Sequence, residues 1–153
     1  MRAPLLVRPV RPADLDAWMP LWDGYNAFYG RVGETALPAR ITTETWRRFF
    51  DPAEPVHALV AEAEGRLLGL THYLFHRSTT RFEPTCYLND LFTAEDARGR
   101  GVGRSLIEGV AEAARVAGVP RVYWQTHETN ATGRALYDEV ARYEGFIVYV
   151  KET

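Results

Sequence analysis

The segment from Thr85 to Thr126 constrains the fold of this chain more than any other. It opens with Thr85 to Thr93, which is apolar enough throughout to predict a strand buried on both faces. A glycine-rich loop follows, and the next apolar side chains recur at helical spacing as far as Ala117. Arg121 to Thr126 predicts a further strand. Because a strand–helix–strand crossover brings its two strands together in parallel, the segment predicts a pair of parallel neighbours.

Weaker patterns on both sides of that segment predict the remaining elements. Apolar runs, with a hairpin signal at Glu64-Gly65, indicate strands at Leu5 to Val10, Val56 to Glu62, Leu67 to His76 and Phe146 to Lys151. Three- and four-residue spacing indicates helices at Asp14 to Tyr29, Thr42 to Phe50 and Asn130 to about Arg142. We expect Pro20 and Gly24 to bend or split the first helix. Thr42 or Thr43 is expected to cap the second.

The resulting order is β α α β β β α β α β, which predicts an α/β chain of the mixed α+β kind. Its sheet is expected to be mixed and mostly antiparallel, with helices on both faces. At 153 residues the chain has the length of one ordinary domain, so we expect a single domain over residues 1–153.

Composition argues against several classes of function. With a net charge of -2, the chain is not expected to bind nucleic acid or an anionic membrane. Cys86 is the one cysteine, so no intrachain disulfide forms and a reducing, cytoplasmic location is expected. We interpret Cys86 as a small buried hydrophobe rather than a nucleophile. The four histidines lack the spacing of metal ligands, so no metal site is expected.

The loop between the buried strand and the long helix carries glycine at every second position, at Gly99, Gly101 and Gly103. Uncovered backbone N–H groups at a helix start suit phosphate, and with the flanking arginines they suit a pyrophosphate. A solvated glycine turn is the alternative. The loop is not a P-loop, because Gly103 is followed by Arg104 rather than lysine. It is not a dinucleotide fingerprint either, since the next strand carries no acid.

The pattern Arg98-x-x-Gly101-x-Gly103 after a strand resembles motif A of the GCN5-related N-acetyltransferase (GNAT) superfamily. Asn130 with Ala135-Leu136-Tyr137, followed by Gly145-Phe146, looks like the superfamily's motif B. The resemblance covers the whole chain. Three further segments look most like the fungal Hpa2/Hpa3-type and diamine acetyltransferase branch, namely Tyr87 to Phe92, Val122 to Trp124 and Leu136 to Asp138.

This resemblance implies acetyl-CoA as cosubstrate, no metal, a homodimer, and parallel strands 4 and 5 that splay apart around the pantetheine arm. Backbone groups of Leu91, Phe92 and Thr93 would bind that arm, and an N–H near Leu91 or Phe92 would polarise the thioester carbonyl. Asn130 would also contact the coenzyme, and Tyr137, beside the sulfur, would be the general acid for the leaving thiolate. The pyrophosphate would be held by the loop residues Arg98, Gly99, Arg100, Gly101, Val102, Gly103 and Arg104.

The general base is not evident from the same comparison. Diamine acetyltransferases carry a glutamate where this chain has Asn89, and asparagine cannot accept a proton at neutral pH. Asp90 is expected to point to the opposite face of the strand. Asp90 acting through water, Glu34 and Glu128 are therefore alternatives, as is an acceptor amine that needs little help. Asn89 could instead orient the acceptor by hydrogen bonding.

The acceptor site is expected along the first helix, where aromatic side chains surround Asp23 and suit a cationic amine. Tyr25 and Tyr29 are the candidates because they carry polar hydroxyls, whereas Trp22 is expected in the core. Three functions stay open. They are a small-molecule amine N-acetyltransferase with a polyamine or amino-acid-like acceptor, a protein lysine or N-terminal acetyltransferase, and a catalytically silent acyl-CoA-binding module.

Overall fold

Five strands form one sheet in the order β1-β2-β3-β4-β5 in the computed structural model, which describes residues 3–153. The strands are β1 (Leu6–Pro9), β2 (Val56–Ala63), β3 (Arg66–His76), β4 (Thr85–Thr93) and β5 (Val122–Tyr123). The first four pair antiparallel with their neighbours, and β5 pairs parallel with β4. The predicted mixed, mostly antiparallel sheet is therefore confirmed, as is the parallel pair formed by the crossover.

Helices cover both faces of this sheet. They are α1 (Leu15–Phe28), α2 (Ala39–Arg48), α3 (Val102–Val116) and α4 (Ala131–Val140), with short 3-10 turns at Pro12–Asp14, Gly33–Thr35 and Glu95–Ala97. Side chains alternate along β2, so Leu59 packs in the core cluster under α3 while Val60 packs with Trp18 of α1. Within the described chain no helix is long and apolar enough to cross a membrane.

The first two helices differ from their predicted form. Helix α1 runs unbroken through Pro20 and Gly24, since proline costs one hydrogen bond and the buried face of the helix is anchored in the core. Gly24 has a packing role, because a Cβ there would come 2.7 Å from the ring of Phe92. Helix α2 begins at Ala39, so the threonines lie inside it. Thr42 does not cap the helix; its Oγ1 accepts a hydrogen bond from Trp22 Nε1 at 2.9 Å.

The predicted final strand, Phe146 to Lys151, is wrong for the described chain, where these residues pair with no strand. β-branched and aromatic residues favour extended backbone, but a strand also needs a partner edge. The five apolar side chains from Phe146 to Val150 are instead 64% to 87% exposed. We call these five residues the C-terminal segment. Strand β5 is also shorter than predicted and pairs with β4 at two positions, Cys86 with Val122 and Tyr87 with Tyr123.

Candidate active site

A gap opens in the sheet where β4 and β5 separate. Their last bridge joins Tyr87 to Tyr123, yet β4 continues to Thr93 while still paired to β3 on its other side. No strand of the described chain covers the edge of β4 beyond that bridge. Leu91, Phe92 and Thr93 lie along this stretch, so the backbone positions predicted to hold the pantetheine arm border the gap. The splay of the parallel strands is thus confirmed.

The glycine-rich loop lies between β4 and the start of α3. Gly99 and Gly101 have φ of 77° and 80°, a left-handed conformation that favours glycine, and a Cβ at either would meet no atom within 4 Å. Gly101 accepts the first hydrogen bond of α3, from the N–H of Ser105 at 3.0 Å. The N–H groups from Gly101 to Arg104 precede that bond and have no helical acceptor. The loop therefore offers backbone donors to an anion.

The three loop arginines have different surroundings. Arg98 lies over the ring of Phe92, with its guanidinium carbon 6.0 Å from the ring centroid. Arg104 forms an exposed ion pair with Glu139 of α4, which ties the start of α3 to α4. Arg100 forms no ion pair with another described residue. A phosphate would compete with Glu139 for Arg104, and surface ion pairs of this kind are worth about 1 kcal/mol or less.

The motif B residues lie at the start and middle of α4. The Asn130 side chain accepts from the N–H of Gly133 at 3.2 Å and donates to Thr126 Oγ1 at 2.9 Å. Its predicted capping role is therefore confirmed. Tyr137 is half-buried, with its ring 5.5 Å from that of Trp124. Burial raises the pKa of Tyr137, and the nearby Tyr29 raises it further, so the phenol stays protonated at neutral pH.

Tyr25, in the C-terminal half of α1, and Tyr29, at its C-cap, form an aromatic wall. Tyr25 is buried and Tyr29 is partly exposed, and their ring centroids are 5.1 Å apart. Tyr29 also approaches His127, in the loop after β5, with the rings 5.9 Å apart. Tyr29 thus spans from α1 toward the loop that leads to α4. Trp22 is 7% exposed and lies in the core, as expected.

Asn89 and Asp90 lie on the same side of β4, which corrects the expectation that they face opposite ways. Strand pairing joins His72 to Asp90 and Tyr73 to Leu88, so Asn89 is an extra residue in a β-bulge. The bulge turns the two side chains together, and Asn89 Nδ2 donates to Asp90 Oδ1 at 2.9 Å. Alternation along a regular strand does not apply across such a bulge.

Asp90 is the end of a buried hydrogen-bonded chain that starts at α1. Trp18 Nε1 donates to His72 Nε2 at 3.1 Å, and His72 Nδ1 lies 2.8 Å from Asp90 Oδ2. An indole N–H is only a donor, so His72 accepts at Nε2 and carries its proton on Nδ1. The ring is therefore the neutral tautomer that donates to the carboxylate.

The charge on Asp90 is stabilised by hydrogen bonds from three neighbouring side chains. Burial has the largest single effect on the pKa of Asp90 and raises it, but the interactions with His72, Tyr25 and Asn89 together outweigh burial, so the pKa is lowered. The same carboxylate, together with burial, raises the pKa of Tyr25. Asp90 is thus an ionised, 8% exposed group, and its ion-pair partner among the described residues, His72, carries a positive charge only if protonated, which the hydrogen bond from Trp18 to Nε2 disfavours. Such a group attracts a cation.

The other candidate groups are less suited to catalysis. Glu34, in the 3-10 turn Gly33–Thr35, and Glu128, in the loop after β5, are exposed, and neither carboxylate forms an ion pair or a hydrogen bond within residues 3–153. Cys86 is buried, and burial raises its pKa to about 12, so it is no nucleophile. The described histidines, cysteine and acids form no group of three that could hold a metal ion.

Sequence reasoning missed the roles of Trp18 and His72. The missing information was the register between β3 and β4, which the bulge at Asn89 shifts by one residue. The sequence does show a histidine, His72, and an acid, Asp90, on successive predicted strands. Whether these two residues pair depends on that register. Arg31, which lies three residues beyond the end of α1, was also missed. Its guanidinium stacks on Tyr25 and Tyr29 at 5.7 and 5.4 Å from the ring centroids.

Comparison with known proteins agrees with this arrangement. The family described as Acetyltransferase (GNAT) family matches residues 18–141. D-amino-acid N-acetyltransferase HPA3 of Saccharomyces cerevisiae is 37% identical over 147 residues, 95% of this chain and 89% of that protein. The uncharacterized N-acetyltransferase YhfO of Bacillus subtilis is 29% identical over 150 residues, 94% of each protein.

A solved structure of AAC(6')-Iy with a CoA-linked bisubstrate analog shares the fold, with a TM-score of 0.83, 15% identity and 99% coverage of both chains. The family match covers more than half of the chain, and HPA3 is 37% identical over 95% of it. These two findings show membership of the family and not only a shared fold. The chain therefore belongs to the GNAT family of acetyltransferases.

Proposed function

We propose that this N-acetyltransferase transfers the acetyl group of acetyl-CoA to a primary amine of a small, polyamine or amino-acid-like molecule. The observation that carries the proposal is the buried, ionised Asp90 beside an aromatic wall, at the gap between β4 and β5. A cationic amine bound there would supply the positive counterion that the buried Asp90 carboxylate lacks. The whole chain, residues 1–153, would serve as one catalytic domain.

The coenzyme would bind along the gap and the glycine-rich loop. Backbone groups of Leu91, Phe92 and Thr93 would hold the pantetheine arm, and an N–H near Leu91 or Phe92 would polarise the thioester carbonyl. Asn130 would contact the arm from the start of α4. The pyrophosphate would meet the free N–H groups at the start of α3, with further charge from the arginines. These coenzyme residues are Arg98, Gly99, Arg100, Gly101, Val102, Gly103 and Arg104.

In the proposed reaction the amine attacks the thioester carbonyl directly. An alkylammonium with a pKa near ~10.4 must first lose a proton, at a cost of roughly 4 to 5 kcal/mol at pH 7. Asp90, with its lowered pKa, is a better anchor for the ammonium than a base, so we assign this proton to water. As the new C–N bond forms, the nitrogen releases its second proton to water and the C–S bond breaks. Tyr137 donates a proton to the thiolate and regains one from water.

Asn89 and the two tyrosines would orient the acceptor. Asn89 is exposed at the bulge and already donates to Asp90, so its carbonyl oxygen is directed away from that bond. An ammonium held by Asp90 could donate to it. Tyr25 and Tyr29 would pack against the body of the acceptor, and their faces favour a cation.

We also propose a homodimer, in which the C-terminal segment binds a second copy of the chain. The segment is exposed and strand-forming, and β5 has a free edge in the described chain. Next to β5 lies a depression of about 580 Å³, whose lining includes the apolar side chains of Ile107, Val122, Trp124 and Val140 and the charged residues Glu83, Glu108 and Arg115. Each chain thus carries both a strand-forming segment and a free sheet edge, and in a two-fold dimer each segment would pair with the edge of the other chain.

The expected compartment is the reducing cytoplasm, since Cys86 is unpaired.

The proposed function is tested by thiol release from acetyl-CoA with a panel of amines. The panel contains spermidine, D- and L-amino acids and a histone-tail peptide, and mass spectrometry identifies the acetylated product. We expect turnover of at least one small amine. Turnover of the peptide alone would establish a protein acetyltransferase instead. Micromolar binding of acetyl-CoA without turnover of any amine would establish a silent coenzyme-binding module.

A further inference from the structure

The turn that ends α1 brings Arg31 back toward the proposed acceptor site. Gly30, with φ of 78°, takes the left-handed conformation directly after the helix. The N–H of Gly30 donates to the carbonyl of Ala27 at 3.0 Å, and the N–H of Arg31 donates to the carbonyl of Asn26 at 2.9 Å. This pair of bonds is a Schellman motif, which reverses the chain against its own helix. Arg31 therefore lies beside the same face of α1 as Tyr25 and Tyr29.

The guanidinium of Arg31 is held in place by a buried side chain. Asn26 is 5% exposed, and its Nδ2 donates to the carbonyl of Trp22 at 2.9 Å. That bond fixes the amide, whose Oδ1 accepts from Arg31 Nε at 2.6 Å. The rings of Tyr25 and Tyr29 support the guanidinium from their faces. The hydrogen bond of Asn26 Nδ2 thus fixes the orientation of the amide, and Asn26 Oδ1 positions Arg31.

Arg31 has no acidic partner among the residues that the structure describes. Several other arginines are paired, since Arg8 binds Asp14 and Glu62, Arg66 binds Asp96 and Arg121 binds Glu144, but Arg31 is unpaired within residues 3–153 and is held in place by a buried side chain. The bond from Asn26 uses Nε, so the two terminal nitrogens of Arg31 remain available as a fork. An arginine fork matches a carboxylate in geometry as well as charge.

Asp90 and Arg31 act on the same tyrosine with opposite charge. Burial is the main cause of the raised pKa values of Tyr25 and Tyr29; the charge of Asp90 raises both further, and the charge of Arg31 lowers both. The acceptor site therefore has a carboxylate and a guanidinium close to the same ring, that of Tyr25, and neither has a residue of fixed opposite charge as its partner among the described residues. A ligand with an ammonium and a carboxylate close together complements both charges. A polyamine would place its second ammonium against Arg31.

We propose that Arg31 binds the carboxylate of the acceptor, so that the acceptor is an α-amino acid held as a zwitterion between Arg31 and Asp90. This inference rests on the proposed function, in which Asp90 receives the amine. It adds the substrate class and a specificity-determining residue. The amine attacks the thioester as before, and the carboxylate takes no part in bond making.

The test compares each amino acid with its own amide. D- and L-leucine and D- and L-leucinamide are assayed for kcat/KM by thiol release, in the native chain and in Arg31→Gln, Arg31→Lys and Arg47→Gln. Arg47 is the matched control, because it is an exposed arginine of α2 whose partners are Glu44 and Asp51. Leucinamide carries no charge at the carboxyl position. Its amine is less basic than that of leucine, so a larger fraction is unprotonated and able to attack the thioester. Any preference for the acid must therefore come from the carboxylate.

We expect the native chain to prefer leucine of at least one hand over its amide by about tenfold or more, as one charge-assisted pair provides. Arg31→Gln should remove this preference by lowering activity on the acid while leaving the amide unchanged. Arg31→Lys should keep part of it, and Arg47→Gln all of it. Equal use of acid and amide by the native chain would overturn the inference while leaving the proposed function intact. An equal loss on both substrates in Arg31→Gln would also overturn it, whereas no turnover of any amine would contradict the proposed function itself.

Discussion

Replacement of Asp90 by asparagine isolates the charge on which the acceptor site depends. The carboxylate is 8% exposed, and the hydrogen bond from Trp18 holds its partner His72 in the neutral form, so a bound ammonium would be its counterion. A hydrogen bond between two charged groups is worth about 1.5–3 kcal/mol, which corresponds to roughly a 10- to 150-fold change in affinity. We therefore expect Asp90→Asn to raise the KM for the amine by about that factor. The KM for acetyl-CoA should not change.

The cost of this variant to the fold can be separated from its effect on binding. The asparagine carbonyl can still accept from His72 Nδ1, but its NH₂ then faces the NH₂ of Asn89, and one hydrogen bond is lost. We expect a loss of about 1 kcal/mol in the free energy of unfolding, measured in urea. Asp16→Asn is the control, since Asp16 is an exposed acid in the first turn of α1.

Initial rates of thiol release at saturating acetyl-CoA, with the amine varied, give the kinetic constants. An unchanged KM for the amine in folded Asp90→Asn would refute the assignment of Asp90 as the ammonium anchor. A fall in kcat at constant KM, with a changed pH profile, would show that Asp90 is a base rather than an anchor.

Three further substitutions test the remaining assignments. Tyr137→Phe should lower kcat about 100-fold or more, as for loss of a general acid, while coenzyme affinity measured by calorimetry stays the same; an unchanged kcat would remove Tyr137 as the acid. Gly101→Asp should abolish coenzyme binding by placing a carboxylate among the phosphates, whereas Gly118→Asp, at a similar φ of 75° and equally open, should bind normally. Equal affinities would refute the loop assignment. Val148→Lys should convert a dimer into a monomer in light scattering, and Val116→Lys, at an equally exposed helix position, should not. A native chain that is already monomeric would contradict the dimer.

The fold was largely predictable because its main signals are local. The run from Thr85 to Thr93 predicts β4 with the same bounds that the structure has, and the apolar spacing from Val102 predicts α3. The hairpin at Glu64-Gly65 is equally local, since both residues have positive φ. The C-terminal segment shows the limit of such reasoning. Its composition predicts extended backbone, but composition does not identify the edge with which a strand pairs.

The site was predictable in part, and the missing part depends on contacts between distant residues. Tyr25, Tyr29, Asn89 and Asp90 were expected to line the acceptor site, and the structure brings them together. Their arrangement depends on a bulge that no local pattern indicates. The position of Arg31 depends on the Gly30 turn, which a sequence shows, and on the amide of Asn26, whose orientation only the packed helix fixes.

The most direct measurement is a crystal structure of the chain with CoA and an N-acetylated α-amino acid. We expect the pyrophosphate at the N–H groups from Gly101 to Arg104 and the Tyr137 hydroxyl beside the coenzyme sulfur. We expect the acceptor nitrogen on the side of Asp90 and the carboxylate on the fork of Arg31. A pyrophosphate bound elsewhere would contradict the coenzyme site. A product whose nitrogen lies away from Asp90 would contradict the central claim, that this carboxylate anchors the amine.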